Sequence, residues 1–281
     1  MPEAHASANS EEVVLRFEDV SLHFDEVTAL DHVSFEMRAG TTRVILGASG
    51  SGKTTLLKTA IGLLKPESGR VVLLGTDITD LAEPQMFGIR RQVGVLFQEG
   101  GLFDSFTVAE NVAYPLVNRA PKNVDLTAVD RKVTEALRFV ELETTMEKFP
   151  AELSGGMRRR VGIARAVVTE PPLVLYDSPT AGLDPITANT IMALITKERD
   201  TANTANLIVT QRYQDGQLMA NFRYNPGGGP LNLSRVNGSN GKAPQTTFMV
   251  MNEGKVVFEG GQAELEASRD QYVEKFVPKR F

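Results

Sequence analysis

The stretch Gly47-Ala48-Ser49-Gly50-Ser51-Gly52-Lys53-Thr54 fits the spacing G-x-x-x-x-G-K-[ST], with Thr55 directly after it. Glycines at these places let backbone N–H groups curl around phosphate oxygens, and a helix that starts at Lys53 adds the positive end of its dipole. Lys53 supplies a cation for the β- and γ-phosphates, and the Thr54 hydroxyl supplies a ligand for Mg²⁺. The chemistry implied is the binding of a nucleoside triphosphate. A second stretch, Leu173-Val174-Leu175-Tyr176-Asp177-Ser178, is an apolar run that ends in an acid and then breaks into Ser, Pro and Gly. A buried strand of this kind delivers a carboxylate to the rim of a sheet, and Asp177 is expected to serve the same Mg²⁺. A second carboxylate beside it would activate water. The neighbour here is Ser178.

These residues need a sheet to bring them together. The 281 residues suffice for one large domain or two small ones, and 42% hydrophobic content supports a substantial core. Residues 13–24 and 32–37 alternate apolar and polar side chains in part, as strands of a half-exposed antiparallel sheet do. Residues 43–46 read as a short buried strand before the phosphate loop, and 53–64 as a helix closed by the turn at 65–69. Strands are also expected at 70–75, 93–98, 173–176 and 207–210, with a hairpin over 246–260. Between 107 and 168 the texture turns helical. Thr107 with Glu110 forms a capping box, Ser154 opens a helix expected to stop near Pro171-Pro172, and Asp184 with Pro185 begins another. The fold class expected is α/β: a phosphate-loop core over residues 13–261, an antiparallel β subdomain at its start, and an inserted helical subdomain at about 99–168. Residues 1–12 are expected to be flexible, 223–245 to be a Gly- and Asn-rich loop insertion, and 262–281 a helical tail.

Composition narrows the function. A net charge of −5 gives no electrostatic reason to expect nucleic acid. The absence of cysteine excludes disulfides and thiolate metal sites. The opening residues lack a basic region followed by an apolar core, so no secretory leader is expected. No apolar run approaches the ~20 residues that span a bilayer. A soluble, cytoplasmic protein is expected.

The segment Leu153-Ser-Gly-Gly-Met-Arg-Arg-Arg-Val-Gly-Ile-Ala-Arg-Ala166 resembles the signature of ABC-transporter ATPases, and the order of motifs agrees with that family across almost the whole chain. Read alone, Ser154 caps an ordinary helix with three arginines on its solvent face. The resemblance implies more: Ser154, Gly155 and Gly156 meet the γ-phosphate of ATP bound to a second copy, so that two subunits clamp two ATP head to tail. It also implies that Phe24 lies against adenine, that Gln98 approaches Mg²⁺ and the attacking water, and that 181–184 crosses the dimer interface. The stretches 96–116, 153–157 and 175–185 look like ATPases paired with Mce-type lipid transporters, of the kind that maintain lipid asymmetry. The partners implied are membrane permease subunits, an Mce-domain lipid-binding protein and a second ATPase subunit, in a homodimer on the cytoplasmic face of the inner or plasma membrane. Residues 100–116 would receive the permease; Leu102, Phe103 and Phe106 are either exposed apolar contacts for it or buried within the helical block.

Two positions depart from that family. Most members have Glu where this chain has Ser178, and His where it has Gln211. Serine can hydrogen-bond water without accepting its proton near neutral pH, and glutamine can donate to phosphate but carries no charge. Slow hydrolysis is therefore expected. Two acids are alternatives for the missing base. Glu99 follows Gln98, although neighbours on an extended segment point to opposite faces; Asp184 is also needed as a helix cap. The leading function is the motor subunit of a lipid transporter. The alternative is an ATP-binding regulatory or structural subunit that barely turns over. An ABC protein acting on ribosomes or DNA is disfavoured by the acidic charge and by the single nucleotide module.

Overall fold

The alternation near the start of the chain builds one sheet. The computed structural model describes residues 12–118, 125–228, 231–236 and 245–277. Strands β1 (Val13–Phe24) and β2 (Val27–Arg38) pair antiparallel, with Phe17 opposite Phe35 and their rings stacked at 4.8 Å. The chain then enters β3 (Thr42–Leu46), buried along its whole length, and leaves through the phosphate loop into α1 (Lys53–Ala60). β4 (Ser68–Leu73) and the two-residue β5 (Thr76–Asp77) return to the first sheet, whose order is β2-β1-β4-β5. The helix expected over 53–64 ends four residues sooner, because Gly62 takes a positive φ and donates its N–H to the Thr59 carbonyl.

A short helix with no sequence-based expectation, α2 (Glu83–Arg90), leads to β6 (Val93–Leu96). The helical insert follows. α3 (Val108–Val117) carries the expected capping box, in which Thr107 N–H donates to Glu110 and Glu110 N–H to Thr107 Oγ1. α4 (Leu126–Phe139) is capped by Asp125, and α5 (Gly155–Val167) by Ser154. The last of these stops short of the proline pair. Pro171 disfavours helical backbone at Glu170, which adopts φ 52° and donates its N–H to the Val167 carbonyl. One apolar cluster joins Val112, Val133, Leu137 and Val161 of the insert to the sheet behind it, so the insert shares the core of the main body.

The central sheet is completed by β7 (Leu173–Asp177), α6 (Pro185–Ala202), β8 (Ala205–Thr210) and α7 (Tyr213–Asn221). The region expected to be a loop insertion begins differently: β9 (Phe222–Tyr224) and β10 (Leu233–Arg235) form a two-stranded antiparallel ribbon. Its backbone groups bond one another and the pair Arg199–Asp200, so a stretch poor in apolar residues is still ordered. The remainder of that insertion, 229–230 and 237–244, lies outside the described residues, as do 1–11 of the expected flexible start and 278–281 of the tail.

β11 (Thr246–Asn252) and β12 (Lys255–Gly260) form the expected hairpin, but β11 also runs parallel to β3 inside the main sheet. The order is β12-β11-β3-β8-β7-β6, parallel except for β12. Continuous apolar runs, as in β7 and β8, suit a parallel sheet covered on both faces. The tail holds α8 (Gln262–Ala267) and a 3-10 turn, Val273–Lys275; Leu265 and Val273 pack with Val44, Leu46 and Phe248. The carboxyl ends of β3, β8 and β7 lie side by side, which is where ligands bind in parallel α/β sheets.

Candidate functional site

The phosphate loop is the turn between β3 and α1, and its glycines answer steric needs. A Cβ on Gly52, which has φ 100°, would stand 2.3 Å from the Ala29 carbonyl oxygen, and one on Gly47 would stand 2.6 Å from that of Met251. Ala48, Ser49 and Gly50 are exposed at the mouth, whereas Ser51 and Lys53 are buried. Lys53 Nζ donates to the carbonyls of Gly47 (2.8 Å) and Ala48 (2.7 Å) and to Ser51 Oγ (3.1 Å). Burial lowers its pKa to about 8, against the opposing pull of Asp177.

Asp177 ends β7 at 5% exposure and accepts one hydroxyl on each oxygen: Thr54 Oγ1 on Oδ2 and Ser178 Oγ on Oδ1, both at 3.0 Å. Adjacent ligands of an octahedral Mg²⁺ at about 2.1 Å stand about 3.0 Å apart, so the Thr54 and Asp177 oxygens have the chemistry and spacing to serve that ion. Thr55 is half-buried behind them, and its carbonyl accepts from Thr59 Oγ1. Ser178 has φ 50° and donates its N–H to the Val209 carbonyl, which holds the start of its loop against β8. Gln211 is exposed one residue past the end of β8.

Gln98 is exposed just beyond β6, whose Leu96 pairs with Tyr176, so it emerges on the same edge as Asp177. The extended segment that argued against Glu99 is absent. Residues Gln98–Gly100 form a 3-10 turn with Glu99 at φ 60°, and the Glu99 charge acts on Arg159 of α5. Asp184 accepts the N–H groups of Ile186 and Thr187, the capping role expected of it. Phe24, 45% exposed, sits at the tip of the β1–β2 hairpin, whose Ala29 carbonyl lies against Gly52 of the phosphate loop.

The start of α5 is separate from this group. Ser154 and Gly155 are exposed, Ser154 Oγ accepts the Met157 N–H, and Gly156 approaches Thr187 of α6 too closely for a Cβ. Among the described residues, no hydrogen bond joins 154–156 to the phosphate loop. The three arginines do not form a solvent face. Arg158, Arg159 and Arg160 donate to the carbonyls of Leu153, Ala181 and Val140, and Arg159 is buried. Helical spacing alone could not reveal those long-range acceptors.

A cavity of about 510 Å³ opens between α2, β6 and α3, lined by Phe87, Arg91, Phe97, Phe103, Tyr114 and Arg165 among others. Phe103 is exposed there, its ring 5.1 Å from that of Phe106 and 4.7 Å from that of Tyr114. Leu102 and Phe106 are half-buried, the second of the two expectations for them: Leu102 packs in the apolar cluster of the insert, and the Phe106 ring lies 6.1 Å from that of Tyr114. Sequence reading also missed Tyr272, whose hydroxyl accepts the Ala48 N–H at 3.2 Å and donates to the Met251 carbonyl at 3.3 Å. No local pattern signals a contact between residues so far apart in the chain.

A parallel sheet with a phosphate loop and an acid at the neighbouring strand ends, interrupted by a helical insert whose last helix exposes a Ser-Gly-Gly start, defines a nucleotide-binding cassette. The ABC transporter family matches residues 30–181, and the chain belongs to that family. It is 40% identical over 193 residues to the methionine import ATP-binding protein MetN of Bifidobacterium longum, covering 68% of this chain and 47% of that protein. It is 38% identical over 198 residues to the probable ribonucleotide transport ATP-binding protein mkl of Mycobacterium leprae, covering 70% and 56%. The chain thus spans about half the length of the curated relatives it matches. The dimeric ATP-binding cassette MJ0796, solved in a post-hydrolysis state with ADP and Pi, superposes with a TM-score of 0.73 at 27% identity, over 88% of this chain and 97% of that one. The structure of cbiO1 from Clostridium perfringens gives 0.74 at 27% identity, over 92% and 93%.

Proposed function

We propose that this chain is the ATP-binding and ATP-hydrolysing subunit of a membrane transporter and works as a head-to-tail homodimer. One observation carries the reading. Lys53, Thr54 and Asp177 converge at the phosphate loop, while the exposed start of α5 makes no hydrogen bond to it among the described residues. In the dimer, Ser154, Gly155 and Gly156 of each chain face the γ-phosphate held by the other, where N–H groups and a dipole end stabilise negative charge. Phe24 stacks on adenine.

Bound Mg²⁺ neutralises charge on the β- and γ-phosphates, with Thr54 and Asp177 as the residues that hold it and Gln98 beside it. Lys53 exchanges its neutral acceptors in the loop for anionic phosphate oxygens. Gln211 donates an amide hydrogen toward the γ-phosphate. Ser178 already gives its proton to Asp177, so its lone pairs remain to orient water without deprotonating it. A positioned general base is worth about 10²–10⁴-fold, so hydrolysis is slow and the ATP-bound dimer long-lived. The same residue favours the second reading, a regulatory or structural subunit that closes on ATP and barely turns over.

The groove beside Phe103 would take the permease, which places the chain peripherally at the cytoplasmic face of a membrane. A phospholipid or other lipid as cargo, with an Mce-domain protein in the assembly, rests on the resemblance of residues 96–116, 153–157 and 175–185. The curated relatives are named instead for methionine import and ribonucleotide transport. The chain purified with its co-expressed membrane partners should hydrolyse ATP, and phospholipid vesicles should stimulate it where methionine and ribonucleotides do not. Ser154→Arg should abolish ATP-dependent dimers while sparing ATP binding. A monomer at saturating ATP–Mg²⁺, with permease present, would sink the dimer.

A further inference from the structure

Asp215 lies in the first turn of α7, 1% exposed, and no motif points to it. Its Oδ2 accepts two hydroxyls at once, Thr180 Oγ1 at 2.6 Å and Thr210 Oγ1 at 2.7 Å. The nearest cation is Arg212, with Nε 3.8 Å from Oδ1, and burial pushes the carboxyl above its ordinary range. A carboxylate so poorly neutralised is a costly way to hold a core together. What it joins gives it a reason. Thr180 is two residues past Ser178, and Thr210 is the residue before Gln211.

We propose that Asp215 is a positioning residue that clasps the loop carrying Ser178 and the loop carrying Gln211 into one unit beside the phosphate loop. The proposal rests on the reading of Ser178 and Gln211 as the groups facing the γ-phosphate. An acceptor-only carboxylate oxygen forces both hydroxyl protons toward itself. Thr210 Oγ1 is then free to accept the Arg212 N–H at 3.0 Å, which fixes the start of α7. The Ser178 loop is also held by Arg159, which donates to Ala181 at 2.6 Å. The clasp therefore links the signature helix, through 178–184, to Gln211. None of these bonds involves the phosphate loop, so losing the clasp should spare ATP binding and impair chemistry, which depends on placement.

The test is hydrogen exchange on the full-length protein, with and without ATP–Mg²⁺, in the wild type, Asp215→Ala, Asp215→Asn and Thr180→Val. In nucleotide-free Asp215→Ala, exchange in 178–184 and 210–213 should rise together at least tenfold, with 47–55 and the melting temperature little changed. Asp215→Asn keeps one acceptor oxygen and should restore most of the protection. Thr180→Val should loosen the first segment and add nothing when combined with Asp215→Ala. With ATP present, Asp215→Ala should keep its affinity within about twofold while single-turnover hydrolysis falls at least tenfold. Unchanged exchange in both segments would overturn the clasp, as would loosening spread evenly over the molecule. If Asp215→Ala does not fold, Asp215→Asn and Thr180→Val carry the same two criteria. Absence of ATP protection at 47–55 in the wild type would instead overturn the nucleotide reading, and the nucleotide-free comparison would still decide the clasp.

Discussion

Without nucleotide, Lys53 holds its proton poorly. The residue is 7% exposed, its ammonium donates to carbonyl oxygens, and burial brings its pKa to about 8 from an ordinary 10.5. Phosphates are anionic, so ATP binding restores the proton. The linkage has a definite sign. Above pH 8 the free protein has lost a proton that the complex keeps, so binding takes one up: about half a proton at pH 8 and about 0.9 at pH 9. Affinity then falls about tenfold between pH 7 and pH 9, about 1.4 kcal/mol. Calorimetry in buffers of differing ionisation heat measures the uptake directly. Lys53→Arg, charged throughout this range, should remove it, and Lys53→Ala should weaken binding strongly at every pH. Flat affinity with no proton uptake from pH 7 to 9 would refute the reasoning. The nucleotide-free protein should also gain stability as pH rises from 8 toward 10.5, since there the native state holds fewer protons than the unfolded chain.

If Ser178 and Gln211 face one γ-phosphate as proposed, Ser178→Glu should raise turnover at least about tenfold, and adding Gln211→His should raise it further; a wild-type rate already equal to that of Ser178→Glu would mean that another base operates. If Glu99 is that base, Glu99→Gln abolishes turnover and Ser178→Glu changes little. Glu198 is 3% exposed, burial raises its pKa to about 7, and its Oε2 and the buried Tyr176 hydroxyl lack hydrogen-bond partners among the described residues. Its native state keeps a proton that the unfolded state loses above about pH 4.5, so stability drains away up to pH 7; Glu198→Gln should recover up to about 3 kcal/mol at pH 8 and little at pH 4, measured by urea unfolding. Phe103→Asp should disrupt permease assembly and leave the melting transition intact, whereas Phe106→Asp should lower the melting temperature as well, since that ring is half-buried.

Local chemistry made much of this legible. The capping residues Thr107, Ser154 and Asp184 each act through neighbours within three residues, so their types and spacing predicted the helix starts. The phosphate loop and the apolar run before Asp177 are equally local. What stayed hidden depends on long-range partners. Arg159 reads as a surface charge until Ala181 is seen to accept from it. β9 and β10 are three residues each, too short for alternation to be read, and their pairing and the bond from Arg199 are long-range. Glu99 was judged by an extended geometry that its positive φ rules out. Asp215 carried no signal because its two hydroxyl partners lie on separate loops.

The hydroxyl of Tyr272 stitches the amide of Ala48 to the carbonyl of Met251. This makes the spacing between residues 251 and 272 part of the calibration of the nucleotide pocket. Tyr272→Phe, which removes only the hydroxyl, should loosen the mouth of the phosphate loop while every glycine and Lys53 stays in place, a change that hydrogen exchange at 47–50 would report.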